Sequence, residues 1–328
     1  MGRRLLALLV VLFATLGPLA AAQASLLRTF KYDSAALGTS QSAQVYLPDG
    51  AAPAGGWPVL YLLHGLDGTA ADWQTLGNIQ STLDKLIAAR TVRPMVVVMP
   101  SGANSWYVDS VDVKGPGNYA TAIAHDLPDA IEDAFPVGED RAHRAIAGLS
   151  MGGFGALRLG FSEPERYQAV AALSPAIWQN VPEEDMGKTS KELDHLRALS
   201  YFKKSDESDV TIGIDLPPDG AHFGGAFGTP FDPHRFNAAN VFTLLQRAVD
   251  GKKALPNVYL TVGDDDSHLL WRGAIAFFET MQMDRRSIEF RVTDGDHNWK
   301  CWRSSLADAL VFMDRQFAKP GLQKDALR

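Results

Sequence analysis

Apolar positions along this chain gather in two ways. Short runs, several of them apolar throughout, fall at Val59–Leu63, Met95–Met99, Arg144–Ala147, Ala169–Leu173, Val258–Val262 and Ile288–Val292. Between them lie longer helix-like stretches at Trp73–Ala89, Tyr119–Phe135, Gly153–Phe161 and Trp271–Met283. A strand that is apolar on both faces belongs in a parallel sheet covered on both sides, whereas a half-solvated strand alternates. The alternation predicts a three-layer α/β fold with a mostly parallel central sheet and right-handed crossovers. Ahead of the first parallel strand, Arg28–Tyr32 and Ala43–Leu47 predict an antiparallel hairpin, bounded by Pro48-Asp49-Gly50.

One interval breaks the alternation. Between Leu173 and Val258 the chain carries a charge-rich helical stretch, Glu183–Arg197, then DLPPDGAHFGGAFGTPFDPHRF, then an amphipathic helix ending near Val249. So long an insertion in a compact unit points to a lid or binding loop. We place it at about residues 178–250, ahead of the strand at Val258, within a single catalytic unit spanning 25–328.

The first 24 residues set the compartment. Two arginines, an apolar run from Leu5 to Phe13, the Gly17-Pro18 break and Ala22-Gln23-Ala24 read as a signal peptide cleaved after Ala24. The break comes too early for a spanning helix, which needs roughly 20 apolar residues. The expectation is an exported protein, periplasmic or extracellular, with no stable membrane anchor. Cleavage would remove two arginines and take the formal charge from −7 to −9. An acidic balance of this kind argues against nucleic acid as a partner. The single cysteine, Cys301, excludes an internal disulfide and a cysteine-rich metal site.

Chemistry enters at Gly148-Leu149-Ser150-Met151-Gly152, a G-x-S-x-G turn with a predicted strand before it and a predicted helix after it. Such a turn strains the serine backbone, lifts Oγ above the sheet and aims a helix N-terminus at the same point. Serine needs a base, and the base needs an orienting acid. Both follow in the order that this motif leads one to expect, after later strands: an acid among Asp264, Asp265 and Asp266, and His297 as base. His125, His143, His195, His222 and His234 lie away from any late strand-to-loop junction, and His268 falls in the next helical run. The three adjacent aspartates lack the spaced D-x-D-x-D oxygens of a calcium loop, so no metal is expected. Two backbone amides should meet the developing oxyanion, that of Met151 and that of Leu66 in Leu62-Leu63-His64-Gly65-Leu66-Asp67-Gly68. The His64 ring is expected to brace this loop.

Six motifs in order, YLLHGLDGTAADW, VVVMPSGANSWYVD, AIAGLSMGGFGAL, ALSPAIW, VGDDDSHLL and DGDHNWKCW, make most of the chain resemble the α/β-hydrolase esterases of the esterase D, antigen 85 and feruloyl esterase group. The resemblance implies an α/β-hydrolase fold and a Ser150–His297–Asp266 triad, the acid falling at the fourth position of Gly263-Asp264-Asp265-Asp266. It implies no cofactor. Leu149 stands where S-formylglutathione hydrolases usually carry histidine, and the export signal is shared with secreted feruloyl and acetyl esterases. The expected activity is hydrolysis of short-acyl, acetyl or feruloyl esters, small or polysaccharide-linked. The alternatives are acyl transfer to a sugar or glycerol hydroxyl, as in mycolyltransferases, and a non-catalytic carbohydrate- or envelope-binding module. Trp73, Trp106, Tyr107, Trp299 and Trp302 flank the motif loops as candidate pocket walls, and Asp109 as a structural hydrogen-bond partner.

Overall fold

The computed structural model describes residues 25–189, 191–193, 216–218 and 220–317. The proposed signal peptide lies outside the described residues, as do positions 190 and 194–197 of the Glu183–Arg197 stretch, whose start is a short 3-10 turn at Glu183–Asp185. Eight strands form one sheet: β1 (Leu26–Ser34), β2 (Thr39–Leu47), β3 (Val59–Leu63), β4 (Val96–Pro100), β5 (Arg144–Leu149), β6 (Ala169–Leu173), β7 (Asn257–Gly263) and β8 (Ile288–Thr293). Their spatial order is β1-β2-β4-β3-β5-β6-β7-β8, and only β2 runs against its neighbours.

Each central strand feeds both faces of the sheet. In β3, Val59, Tyr61 and Leu63 enter one core while Leu60 and Leu62 enter the other, and β4 divides Val96 and Val98 from Val97 and Met99. All five residues of β3, β4 and β6 are buried, which is why their sequences are apolar without alternation. Edge strand β8 is half exposed and carries Glu289 and Arg291.

Helices α1 (Asp72–Thr75) and α2 (Ile79–Ala88) cover one face of the sheet. The expected single helix Trp73–Ala89 is therefore two. Asn78 takes a left-handed conformation (φ +54°), and Gly77 lies against the Trp73 and Trp299 rings. The stretch expected at Tyr119–Phe135 is helical but changes pitch: α3 (Tyr119–Thr121) runs through a π turn, Ala122–Asp126, into α4 (Leu127–Ala134). Pro128 has no N–H and crowds the preceding turn, and the widened turn accommodates both deficits. Asp126, at the end of that turn, accepts bonds from Ser34 Oγ and the Ala36 N–H, tying the β1–β2 hairpin down.

Helix α5 (Met151–Ser162) follows Ser150 directly. Helices α6 (Pro233–Ala239) and α7 (Val241–Asp250) close the described part of the insertion, and α8 (Trp271–Met283) lies as expected. The last helix, α9 (Trp299–Phe317), has no counterpart among the expected elements. Its signal was present: Trp302, Leu306, Leu310, Met313 and Phe317 recur every three or four residues and bury against the second face.

The chain leaves β3 toward β4 on one side, then places β5 on the other. Loops after β3 and β5 consequently diverge and open a crevice at the carboxyl ends of these strands, where α/β sheets bind ligands. His64–Leu66 and Ser150 occupy those two ends.

Candidate active site

Ser150 sits at φ +52° and ψ −120°, strained for any residue with a side chain. Its backbone is fixed from outside, the N–H donating to Leu173 O and the carbonyl accepting from the Phe154 and Ala176 amides. The flanking glycines are demanded by close approach. A Cβ on Gly148 would stand 2.3 Å from Gly152 O, and one on Gly152 would stand 2.6 Å from both His64 O and Leu63 O. These contacts are backbone and cannot rotate away. Gly148→Ala is accordingly expected to cost about 3 kcal/mol, the upper range for overpacking, read as a lowered urea midpoint at unchanged slope.

Above the elbow, His297 bridges two partners. Its Nε2 lies 2.9 Å from Ser150 Oγ and its Nδ1 lies 2.8 Å from Asp266 Oδ2. The Asp266 side chain is fully buried and that of His297 is 8% exposed, so the pair is shielded from water. Asp266 Oδ1 accepts from the His268 N–H, which orients the carboxylate. The loops after β7 and β8 are stitched together: the Gly295 N–H donates to Asp264 Oδ1, and the Asp265 N–H donates to Gly295 O. Asp296 Oδ1 accepts from the Ser267 and His297 amides, and these bonds hold its carboxyl below the usual carboxylate range. Asp264 and Asp265 face solvent, so of the three adjacent aspartates Asp266 alone meets His297.

The two expected amide donors are near. Met151 opens α5, ahead of the first intrahelical donor, Phe154. Leu66 lies inside a turn closed by the Gly68 N–H on Gly65 O, and it lines the same cleft as Ser150. Among the described residues neither amide donates to a protein acceptor.

A family model described as "Putative esterase" matches residues 34–313. The chain belongs to this esterase family. Its relatives include an acetyl esterase from Caldicellulosiruptor saccharolyticus, 24% identical over 78% of this chain and 83% of the relative. An endo-1,4-beta-xylanase/feruloyl esterase from Xylanibacter ruminicola is 31% identical over 46% of this chain, which spans only 21% of that longer protein. A solved structure of a ferulic acid esterase superposes with a TM-score of 0.66, covering 90% of this chain and 99% of the other at 24% identity. The fold is the α/β-hydrolase fold, and the chain is a carboxylic ester hydrolase.

The esterase holds a cleft of about 680 Å³ around Ser150 and His297. Trp106, Trp299 and Trp302 line it. Trp73 and Tyr107 do not: both are wholly buried behind it. Trp73 Nε1–H is spent on Leu63 O, and Tyr107 donates its hydroxyl to His64 O, so both rings serve the core rather than the pocket wall. Asp109 is a structural partner, accepting from the Thr121 N–H and hydroxyl.

Trp178, Leu216 and His222 escaped sequence reasoning because they come from the insertion, far along the chain from the motif loops. Phe223, next to His222, packs on Trp106 (centroids 4.8 Å apart), Phe227 (4.9 Å) and Phe231 (5.4 Å). Arg235 clamps the same segment by a two-pronged bond to Asp112 and a further bond to Asp109 O. His268 corrects another expectation. It lies on the loop before α8 rather than inside a helix, and its ring stands 4.6 Å from that of His297.

His64 braces its loop, as expected. Its Nε2 accepts from the Gly102 N–H at 2.8 Å, so the proton must sit on Nδ1, which donates to Gly65 O. Burial holds its pKa below the ordinary 6.5. A histidine kept neutral by folding stabilises fully above pH 6.5, and that contribution is lost as pH falls from 6.5 toward the lower folded value. The melting-temperature gap between the native chain and His64→Asn is expected to narrow from pH 7 to pH 5. A gap that stays constant over this range would remove the neutral brace.

Proposed function

We propose that this chain is an exported serine esterase of short-acyl, acetyl or feruloyl esters. The observation that carries the reading is His297 standing within hydrogen-bond reach of both Ser150 Oγ and Asp266 Oδ2. Ser150 Oγ attacks the ester carbonyl as His297 Nε2 takes its proton, and the Asp266 carboxylate steadies the imidazolium. The Met151 and Leu66 amides meet the charge on the carbonyl oxygen. His297 returns the proton to the leaving alcohol, and water, activated by the same base, releases the acid from Ser150. Export rests on the Arg3-Arg4 to Ala24 pattern at the N-terminus.

The cleft supports a small or planar acyl group, since aromatic Trp106, Trp178 and Trp299 surround a volume within the usual range for small-molecule sites. The test is initial hydrolysis rate over p-nitrophenyl esters from acetyl to palmitoyl, together with methyl ferulate. A maximum at short chains or at ferulate is expected. A maximum at palmitoyl overturns the substrate class, and acyl groups recovered on added glycerol or trehalose in place of free acid turn the reading to transfer.

A further inference from the structure

At the rim of the cleft Asp266, His268 and His297 converge. Each offers one ligand atom, and the three atoms lie within 4.8 Å of one another. We propose that these residues form a binding site for a divalent transition ion such as Zn2+, and that its occupation switches off ester hydrolysis. The inhibitory half rests on His297 being the base proposed above; metal binding itself does not.

The donor chemistry selects the class of ion. Two imidazoles and one carboxylate suit zinc and its neighbours rather than calcium or magnesium, which prefer all-oxygen shells. Three protein ligands with a fourth position open is the arrangement of an exchangeable zinc, not of a closed structural one. Zinc bonds of about 2.0–2.2 Å set tetrahedral donor atoms roughly 3.3 Å apart, so the trio must tighten slightly. The residue able to move is His268, which is exposed at the rim, while the Asp266 side chain is fully buried and that of His297 nearly so. The His268 N–H on Asp266 Oδ1 already anchors its backbone beside the carboxylate, and its ring is inclined 44° to that of His297 at 4.6 Å.

Occupation and catalysis exclude each other because His297 has no spare nitrogen. An ion on Nε2 takes the lone pair that receives the serine proton. An ion on Nδ1 displaces to solvent the proton that Asp266 holds, and the ring loses its orientation. The acidic trio Asp264, Asp265 and Asp294 on the same loops offers oxygens alone, all exposed.

The test uses the full chain in two measurements. Calorimetric titration of zinc chloride into Ser150→Ala, which keeps all three ligands, is expected to show one ion per chain, with affinity lowered about tenfold or more when His268→Gln is added. In parallel, zinc is expected to inhibit p-nitrophenyl acetate hydrolysis reversibly by chelator, with the half-inhibitory concentration raised about tenfold or more by H268Q. Calcium and magnesium at equal concentration are expected to leave the rate unchanged. Absence of calorimetric binding, a half-inhibitory concentration within twofold in H268Q, or equal inhibition by calcium each overturns the proposal. Should H268Q fail to fold, His268→Asn makes the same comparison. A native chain that hydrolyses no ester would defeat the base assignment while calorimetry still decided the metal site.

Discussion

Ser150→Ala is expected to lower kcat for ester hydrolysis by about a millionfold, the scale seen when a serine nucleophile is removed from an intact triad. The effect is chemical rather than structural. The backbone at position 150 is held by bonds to Leu173, Phe154 and Ala176, none of which uses Oγ. Alanine has the same Cβ as serine, so the strained φ costs no more than before. The variant should therefore melt within a degree or two of the native chain and bind product as well. It should retain only the modest acceleration that positioning and the two amides provide, about 10³–10⁴ over water. A variant keeping more than about one-hundredth of the native rate would sink Ser150 as nucleophile.

Asp266→Asn comes next, at about 10⁴ in kcat. An amide in place of the carboxylate cannot balance the imidazolium, and its NH2 group favours the tautomer with Nδ1 unprotonated. Asp264 and Asp265 provide the internal control, being adjacent in sequence but exposed. Their asparagine variants are expected to stay within about tenfold of native, Asp264→Asn being the more damaging because it weakens the bond from Gly295. Parallel kcat measurements on the three variants decide the matter. A larger loss in D265N than in D266N would move the acid.

Much of this was legible in the sequence because the burden lay on local pattern. A strand buried on both faces has to be apolar, so β3, β4 and β6 were visible as uninterrupted runs. The elbow was visible because close backbone approach leaves glycine as the residue that fits at 148 and 152. Features that depend on distant partners were not legible. Trp73 and Trp299 sit in equally suggestive motif loops, yet one spends its N–H on Leu63 O inside the core while the other reaches the cleft. Nothing within either motif distinguishes them. His222 reaches the cleft because the aromatic cluster around Phe223 seats its segment on Trp106, a relation across more than a hundred residues of chain. The π turn before Pro128 was hinted at by the proline itself, and α9 by a spacing that stood in plain view.

Ser150 and His297 are 147 residues apart, and they differ in how well the sheet protects them. Ser150 ends a strand with neighbours on both sides. Asp266 and His297 hang from β7 and β8, the last pair, and among the described residues β8 has no strand on its outer side. Opening of a sheet begins where the fewest bonds must break. Fraying of that margin would separate His297 from Ser150 while the centre stayed intact, so heat should silence the enzyme before it melts. The same order governs birth: a ribosome that has delivered everything up to β6 has made the elbow and Ser150, but not the histidine that Ser150 meets.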